Sequence, residues 1–210
     1  FRRVLFRSQS ATMPTAMIAR TQRQRSDEAR ERLLLAAGRL IATGGLDALT
    51  LLAVGEHAGY SRGMVNHHFG TKAQLVRELV DRVEAEFSDA IATDASGARA
   101  VEQVVDAFFA LLDDLPDMHR AFLVLWAGAP TSDEDVRTRM VASDSTFRRS
   151  LSESLRRGSL AAVPVLDACA AVIVGLLRGV ALQHLLDPDS IDLAAARSVT
   201  ATVVGRLVTE

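Results

Sequence analysis

One short stretch of the chain concentrates side chains that can hydrogen-bond the edges of nucleic-acid bases. Between Arg62 and Phe69 the sequence is RGMVNHHF, so an arginine, an asparagine and two histidines fall within eight residues. Arginine pairs with guanine and asparagine with adenine in the major groove of DNA. In a helix only Val65 and Phe69, four residues apart, would face inward. The other face is polar and predicts a partner outside the protein.

Capping residues and glycines place this stretch between two other short helical segments. Thr50 is expected to cap the helix before it, and Gly59 to end that helix in the left-handed conformation. Ser61 is expected to cap the helix that starts at Arg62. Thr71 with Gln74 forms a capping box that opens the next helix. Two helices joined by a turn of about two residues predict a helix-turn-helix.

Two glycines and a lysine in this region also predict close contacts. Gly55 lies inside the first helix of the pair, where glycine costs about 1 kcal/mol relative to alanine, so a close approach of neighbouring backbone is expected. Gly63 would let the backbone come close to a phosphate. Lys72, the only lysine in the chain, lies in the first turn of the following helix, where its ammonium can reach a phosphate.

The spacing of these residues matches a known pattern. The matching positions are Thr50, Val54, Ala58, Gly59, Ser61, Gly63, His68, Phe69, Lys72 and Leu75. On them the chain resembles the DNA-binding signature of TetR/AcrR-type transcriptional repressors over about 50 residues, from Ser26 to Val76. Two positions depart from the pattern: Asn66 replaces a phosphate-binding tyrosine, and Gly55 replaces an alanine.

The resemblance implies an all-α fold of about nine helices. An N-terminal three-helix helix-turn-helix head would be joined by a long helix to a C-terminal helical domain for ligand binding and dimerisation. We expect a disordered or non-native leader at residues 1–19, where FRRVLFRS has no pattern that continues. The DNA-binding domain is predicted at 20–75, with Ser26 capping its first helix, and the effector and dimerisation domain at 76–210.

The resemblance also implies a DNA-binding set within the head. Arg62, Met64, Asn66 and His67 would contact bases, whereas Thr50, His68 and Lys72 would hold phosphates, and Ser61 and Gly63 complete the set. Two recognition helices in a homodimer would meet successive major grooves about 34–36 Å apart, so the operator should be a rough palindrome.

Charge is distributed unequally along the chain and agrees with DNA binding at the head. Residues 17–79 hold nine Lys and Arg against six Asp and Glu, a net +3. Residues 80–210 hold 12 against 20, a net −8. A basic head on an acidic body suits a polyanion that contacts the head alone.

Large apolar side chains in the C-terminal part are candidates for an effector pocket. They are Phe108, Phe109, Phe122, Trp126, Met140 and Phe147. As a group they suit the lining of an apolar site, although any one of them could serve only in core packing. The ligand itself is unknown.

The most hydrophobic stretch runs from Val165 to Leu186 and has the length of a membrane span. Asp167, Arg178 and His184 within it argue instead for a buried helix at a subunit interface. The resemblance implies that the last two long helices form the homodimer interface. We therefore expect a cytoplasmic protein with no membrane partner.

Other kinds of chemistry find little support in the residues. His67 and His68 are adjacent and do not provide the i,i+4 geometry of a zinc pair, so no metal site, cofactor or catalytic residue is predicted. The principal hypothesis is a ligand-responsive repressor released from its operator by a small molecule. The alternatives are an activator or architectural regulator without effector, and a helical small-molecule-binding protein or enzyme with a vestigial DNA head.

Overall fold

The structure, a computed structural model, describes residues 22–91, 95–157 and 163–209. These ranges form nine α-helices: α1 (Gln22–Gly44), α2 (Leu51–Ala58), α3 (Arg62–Phe69), α4 (Lys72–Ile91), α5 (Gly97–Asp113), α6 (Asp117–Gly128), α7 (Glu134–Arg156), α8 (Val163–Leu186) and α9 (Leu193–Thr209). Short 3-10 helices follow α1 and α6, and the described residues contain no strand. The predicted all-α fold is confirmed. The predicted leader, 1–19, lies outside the described residues.

The head begins with α1, α2 and α3, and most of its predicted boundaries are correct. The Thr50 hydroxyl accepts a hydrogen bond from the Ala53 amide at 3.1 Å and so caps α2. Gly59 ends α2 with a φ of 74°, the left-handed conformation that glycine adopts without strain. The position of the turn therefore follows from local signals.

The start of α1 was predicted incorrectly. Ser26 does not cap the helix but lies inside it, because α1 already begins at Gln22. Residues 22–25 are glutamine and arginine, both good helix formers, so the helix continues upstream of the first plausible cap.

The helix α4 connects the head to the rest of the chain. Its residues Leu75, Leu79 and Val83 recur every four positions and are all buried, which gives the helix one continuous apolar face. Twenty residues correspond to a rod about 30 Å long. The two ends of α4 therefore lie in different parts of the molecule.

Two hydrophobic clusters build the core. One joins α1–α4 with α6 and α7, including Met118 and Met140, and the other joins α5 with α7, α8 and α9. The Sδ of Met118 lies only 2.6 Å from the position that a Cβ on Gly38 would occupy, so α1 and α6 are closely packed. The predicted boundary at residue 75 thus falls inside a shared core.

By length and composition alone, the helix α8 is long and apolar enough to cross a membrane. Leu166, Ile173 and Leu177 on one side of it are buried in the second cluster. Val165 and Val172 remain more than half exposed. A helix with one face in a protein core and Arg178 buried at 5% exposure is the core helix of a helical domain.

Candidate DNA-binding helix and ligand cavity

The helix α3 presents the polar face that the sequence predicts. The Ser61 hydroxyl accepts the Met64 amide at 3.3 Å and caps the helix, while Val65 and Phe69 are buried at 0% and 4% exposure. On α3 and its cap, the exposed residues of the predicted set are Ser61, Arg62, Gly63, Met64, Asn66 and His67, and His68 is half-buried. These side chains are free to meet a groove because packing occupies only the opposite face.

A glycine holds α2 against the start of α3, as predicted for Gly55. A Cβ at this position would lie 2.7 Å from the Tyr60 carbonyl oxygen and 3.3 Å from the Arg62 amide nitrogen. The Tyr60 amide in turn donates to the Gly55 carbonyl at 2.8 Å. The angle between the two helices therefore depends on the missing side chain.

Arg30 on α1 anchors the end of α3, a role that the sequence did not suggest. Its guanidinium donates to the His68 carbonyl at 3.2 Å, lies 5.1 Å from the centre of the Phe69 ring and pairs with Glu78 on α4. One side chain thus connects three helices of the head. Burial lowers the pKa of His68, and the charges of His67 and Arg30 lower it further against an opposing effect of Glu78.

The Lys72 side chain forms a hydrogen bond within the head. Its ammonium donates to the Leu46 carbonyl at 2.7 Å. The Thr71 hydroxyl accepts the Gln74 amide at 3.1 Å, whereas the Gln74 side chain donates to Glu78 at 3.3 Å rather than back to Thr71. Only the forward half of the predicted capping box is present.

A cavity of about 620 Å³ lies between α4, α5, α6, α7 and α8. Its volume is within the range of small-molecule sites. Three of the six predicted pocket residues, Phe108, Phe122 and Phe147, line it. Its apolar wall also includes Val83, Ala85, Phe87, Leu111, Leu112, Leu115, Leu123, Val174 and Leu177.

The other three predicted pocket residues lie elsewhere. Phe109 is buried in the second hydrophobic cluster and Met140 in the first. The Trp126 ring lies 4.5 Å from the guanidinium of Arg178, in a cation–π contact, and is outside the cavity wall. Phe108 and Phe109 point about 100° apart on α5, and only Phe108 lines the cavity.

Ion pairs hold the charged residues of the cavity wall. Asp81 and Glu84 on α4 lie 2.6 and 2.7 Å from Arg139 on α7. Arg178 on α8 pairs with Asp144, and burial lowers its pKa although Asp144 opposes this effect. The sequence did not predict a role in the cavity for these residues. Within the apolar run of α8, however, an arginine without a membrane role required a partner.

His119 on α6 is the titratable group in the wall whose bonding is incomplete. It is 6% exposed, and its Nδ1 is buried without a hydrogen-bond partner among the described residues. Its Nε2 is 3.5 Å from a carboxylate oxygen of Glu86. Burial lowers the pKa of His119 and Glu86 raises it, with burial the stronger effect. The imidazole is therefore neutral near pH 7.

No group of three or more His, Cys, Asp or Glu side chains in the described ranges could hold a metal ion. The side chains of the described residues support two kinds of binding: the exposed polar face of α3 can contact a nucleic acid, and the apolar cavity can hold a small molecule.

Two family models match most of the chain. Residues 33–79 match the model of the tetR family of bacterial regulatory proteins, and residues 97–209 match the C-terminal model of BetI-type transcriptional repressors. The first match covers α2 and α3, and the second covers α5 to α9.

Individual relatives agree with these matches. The HTH-type transcriptional regulator BetI of Agrobacterium fabrum is 30% identical over 173 residues, which cover 80% of this chain and 82% of that protein. The regulator BetI 2 of Chromohalobacter salexigens is 25% identical over 86% of this chain and 88% of its own length. The structure of a SmeT–triclosan complex has a TM-score of 0.68 at 21% identity, and the alignment covers 84% of this chain and 90% of that one.

Proposed function

Because the chain belongs to the tetR family of bacterial regulatory proteins and is a ligand-responsive DNA-binding transcriptional regulator, we propose that it represses genes from a palindromic operator. The operator is bound by a homodimer and released when a small molecule enters the cavity. The observation that carries this proposal is the position of α4. It starts at Lys72 beside the recognition helix α3, and six of its residues between Asp81 and Ser88 line the cavity.

The DNA contacts follow from the exposed face of α3. Arg62, Met64, Asn66 and His67 contact base edges, and the half-buried His68 lies beside the phosphates. An arginine and an asparagine on one short helix favour guanine and adenine in each half-site.

The phosphate contacts come from the ends of the short helices. Thr50, Ser61 and Gly63 lie at helix starts, where backbone amides favour an anion. Lys72 has three donors and uses one for the Leu46 carbonyl, so two remain for a phosphate. Its bond to Leu46 orients the ammonium before DNA arrives.

The dimer forms through α8 and α9. Both helices expose large apolar side chains, with Val165 and Val172 on α8 and Val199 and Val203 on α9 between 42% and 63% exposed. Such exposure on two neighbouring helices marks an interaction surface. Pairing with a second copy covers it in a four-helix arrangement, as is typical of dimers in the family.

Ligand entry shifts an equilibrium between two spacings of the heads. The cavity touches α4, and a ligand that fits only one position of α4 favours the corresponding spacing. The cavity also distinguishes this function from that of a regulator without effector, for which a filled core is expected. Since regulators of this family are generally not enzymes, we propose no reaction, and we propose a cytoplasmic location.

DNA binding is tested with fragments of the genome that encodes the chain. We expect the purified full chain to retain fragments that share a two-fold symmetric sequence. Lys72→Ala should weaken binding to every fragment and lower the salt dependence, the slope of log affinity against log salt, by about one per head. Arg149→Ala, an exposed arginine on α7, should leave the slope unchanged. Retention without sequence preference contradicts the proposal.

The dimer is tested by a charge on the proposed interface. Val172→Glu should convert the dimer to a monomer in size-exclusion chromatography with light scattering, because a carboxylate would be buried without a partner. Val141→Glu is the matched control, since Val141 is equally exposed at 57% but lies on α7. A Val172→Glu protein that remains dimeric places the interface elsewhere.

A further inference from the structure

The charged residues at the cavity wall already have ion-pair partners. Asp81 and Glu84 share Arg139, and Arg178 is paired with Asp144. A charged ligand would have to compete with one of these ion pairs. The wall therefore favours an uncharged molecule.

Aromatic rings form much of the remaining wall. The rings of Phe87 and Phe147 meet edge to face with centroids 5.3 Å apart, and Phe108 and Phe122 also line the cavity. Rings arranged in this way attract another ring through their faces and edges. The apolar part of the ligand is thus best supplied by an aromatic group.

Nδ1 of His119 is the one buried polar side-chain atom of the described wall that has no hydrogen-bond partner. The Glu86 carboxylate, 3.5 Å from Nε2, favours the tautomer with its proton on Nε2, which leaves Nδ1 as an acceptor. A buried acceptor without a donor is unfavourable, and a ligand that brings the donor removes this penalty.

We propose that His119 selects the ligand of this cavity, an uncharged aromatic molecule with one hydrogen-bond donor, such as a phenol, and transmits its binding to the head. The hydroxyl of the ligand donates to Nδ1. This inference rests on the proposed function, because it takes the cavity as the effector site.

The transmission begins with a rotation of the imidazole. Nδ1 of His119 is covered by protein, so a group in the cavity reaches it only when the ring turns. The same rotation moves Nε2 relative to Glu86. Glu86 also accepts a hydrogen bond from Arg82, one turn earlier on α4, and Arg82 contacts Glu31 on α1 at 3.1 Å. We call this series of contacts, His119–Glu86–Arg82–Glu31, the polar relay.

The polar relay ends beside the anchor of the recognition helix. Glu31 is adjacent to Arg30, which donates to the His68 carbonyl and pairs with Glu78. A change at Glu86 therefore alters the contact between α4 and α1 at the turn that holds the end of α3. Val83 and Phe122 of the wall also reach the head, through apolar packing in the first hydrophobic cluster, whereas the polar relay connects the two through charged side chains.

The ligand class is tested by calorimetric titration of the full chain with 4-propylphenol and with its methyl ether, 4-propylanisole. The two probes differ in the donor alone. We expect the phenol to bind about tenfold more tightly, the ratio that one satisfied buried hydrogen bond provides. In His119→Phe the ratio should fall to about one. Ser143→Ala, which removes a hydroxyl from the same wall, should keep it.

Several results would overturn the assignment. They are equal binding of the two probes to the native chain, a tenfold ratio that survives in folded His119→Phe, loss of the ratio in Ser143→Ala, or tighter binding of 4-propylbenzoate, which would point to Arg178. If His119→Phe does not fold, as judged by circular dichroism, the ratio in the native chain decides. When neither probe binds, the ligand class is wrong, whereas selective DNA retention by the same preparation leaves the proposed function standing.

The polar relay is tested through operator affinity with and without 4-propylphenol. In the native chain we expect the phenol to weaken operator binding at least tenfold. In Glu86→Gln, which still binds the phenol, the weakening should be at least threefold smaller. Asp117→Asn breaks a different ion pair between α1 and α6, Arg39–Asp117, and should leave the effect unchanged. A role of the polar relay would be refuted if the effect of the phenol on operator affinity fell equally in both variants, or if it did not fall in Glu86→Gln.

Discussion

The recognition helix and the cavity are assembled in opposite ways along the chain. α3, the helix before it and the caps of both come from consecutive residues between Thr50 and Gly70. The cavity wall takes residues from five helices, from Asp81 on α4 to Arg178 on α8. The caps and the turn of the first region are formed by local hydrogen bonds, whereas the second depends on how distant helices pack. A cavity assembled from distant residues can take a different ligand after a few substitutions in its wall.

The largest expected effect on stability distinguishes a residue of the core from a residue that lines the cavity. Phe109→Ala removes a ring that is 2% exposed and should lower the free energy of unfolding by about 3–5 kcal/mol. Phe108→Ala removes a half-buried ring that lines the cavity and should cost less than about half as much. Urea unfolding measures both. Equal losses would mean that the wall is as tightly packed as the core and would break the distinction.

An intermediate effect is expected at two glycines of the head. Gly55→Ala places a methyl group 2.7 Å from the Tyr60 carbonyl oxygen and should destabilise the protein by about 1–3 kcal/mol, although alanine is the better helix former.

Gly63→Ala is its matched control. The nearest atom to a Cβ there is 3.7 Å away, so stability should be unchanged or slightly higher. Its operator affinity should nevertheless fall, because the proposed phosphate contact needs a close backbone. Thermal unfolding and operator titration of both variants separate the two roles, and a destabilised Gly63→Ala would contradict them.

The smallest effect is a pH dependence shared by the two regions. Both His68 in the head and His119 in the cavity have a pKa below the ordinary 6.5, mainly because of burial. The unfolded chain then binds protons more readily below about pH 6.5, so stability is complete above that pH and falls toward the lower folded-state pKa.

Melting temperatures measured between pH 8 and 5 test this loss of stability. The variants His119→Phe and His68→Asn show how much of the loss comes from the cavity and how much from the head. Glu86 faces His119, and the other charged groups of that wall are paired with Arg139 or Asp144. A melting temperature that rises on acidification would reverse the assigned sign.

The same contrast explains what the sequence could and could not predict. The cap at Thr50, the left-handed Gly59 and the inward pair Val65 and Phe69 depend on neighbours in the chain, and all were predicted correctly. Ser26 was not the cap it resembled, because good helix formers precede it.

In the body, periodicity identified the helices but not the faces that meet at the cavity. The buried residues of α5 and those that line the cavity lie on one broad face of the helix, so apolar spacing could not separate Phe108 from Phe109. The roles of Arg30 and His119 could not be predicted because their partners, the His68 carbonyl and Glu86, lie 38 and 33 positions away in the chain. DNA contacts of the predicted residues remain predictions.

The contact between Trp126 and Arg178 has a practical consequence. Trp126 is the only tryptophan in the chain, and the guanidinium 4.5 Å from its ring belongs to a side chain of the cavity wall. A molecule that moves Arg178 also changes the electric field at the indole. The intrinsic fluorescence of the unlabelled protein can therefore serve as a direct optical signal of cavity occupancy, and it permits effector screening in which DNA is absent.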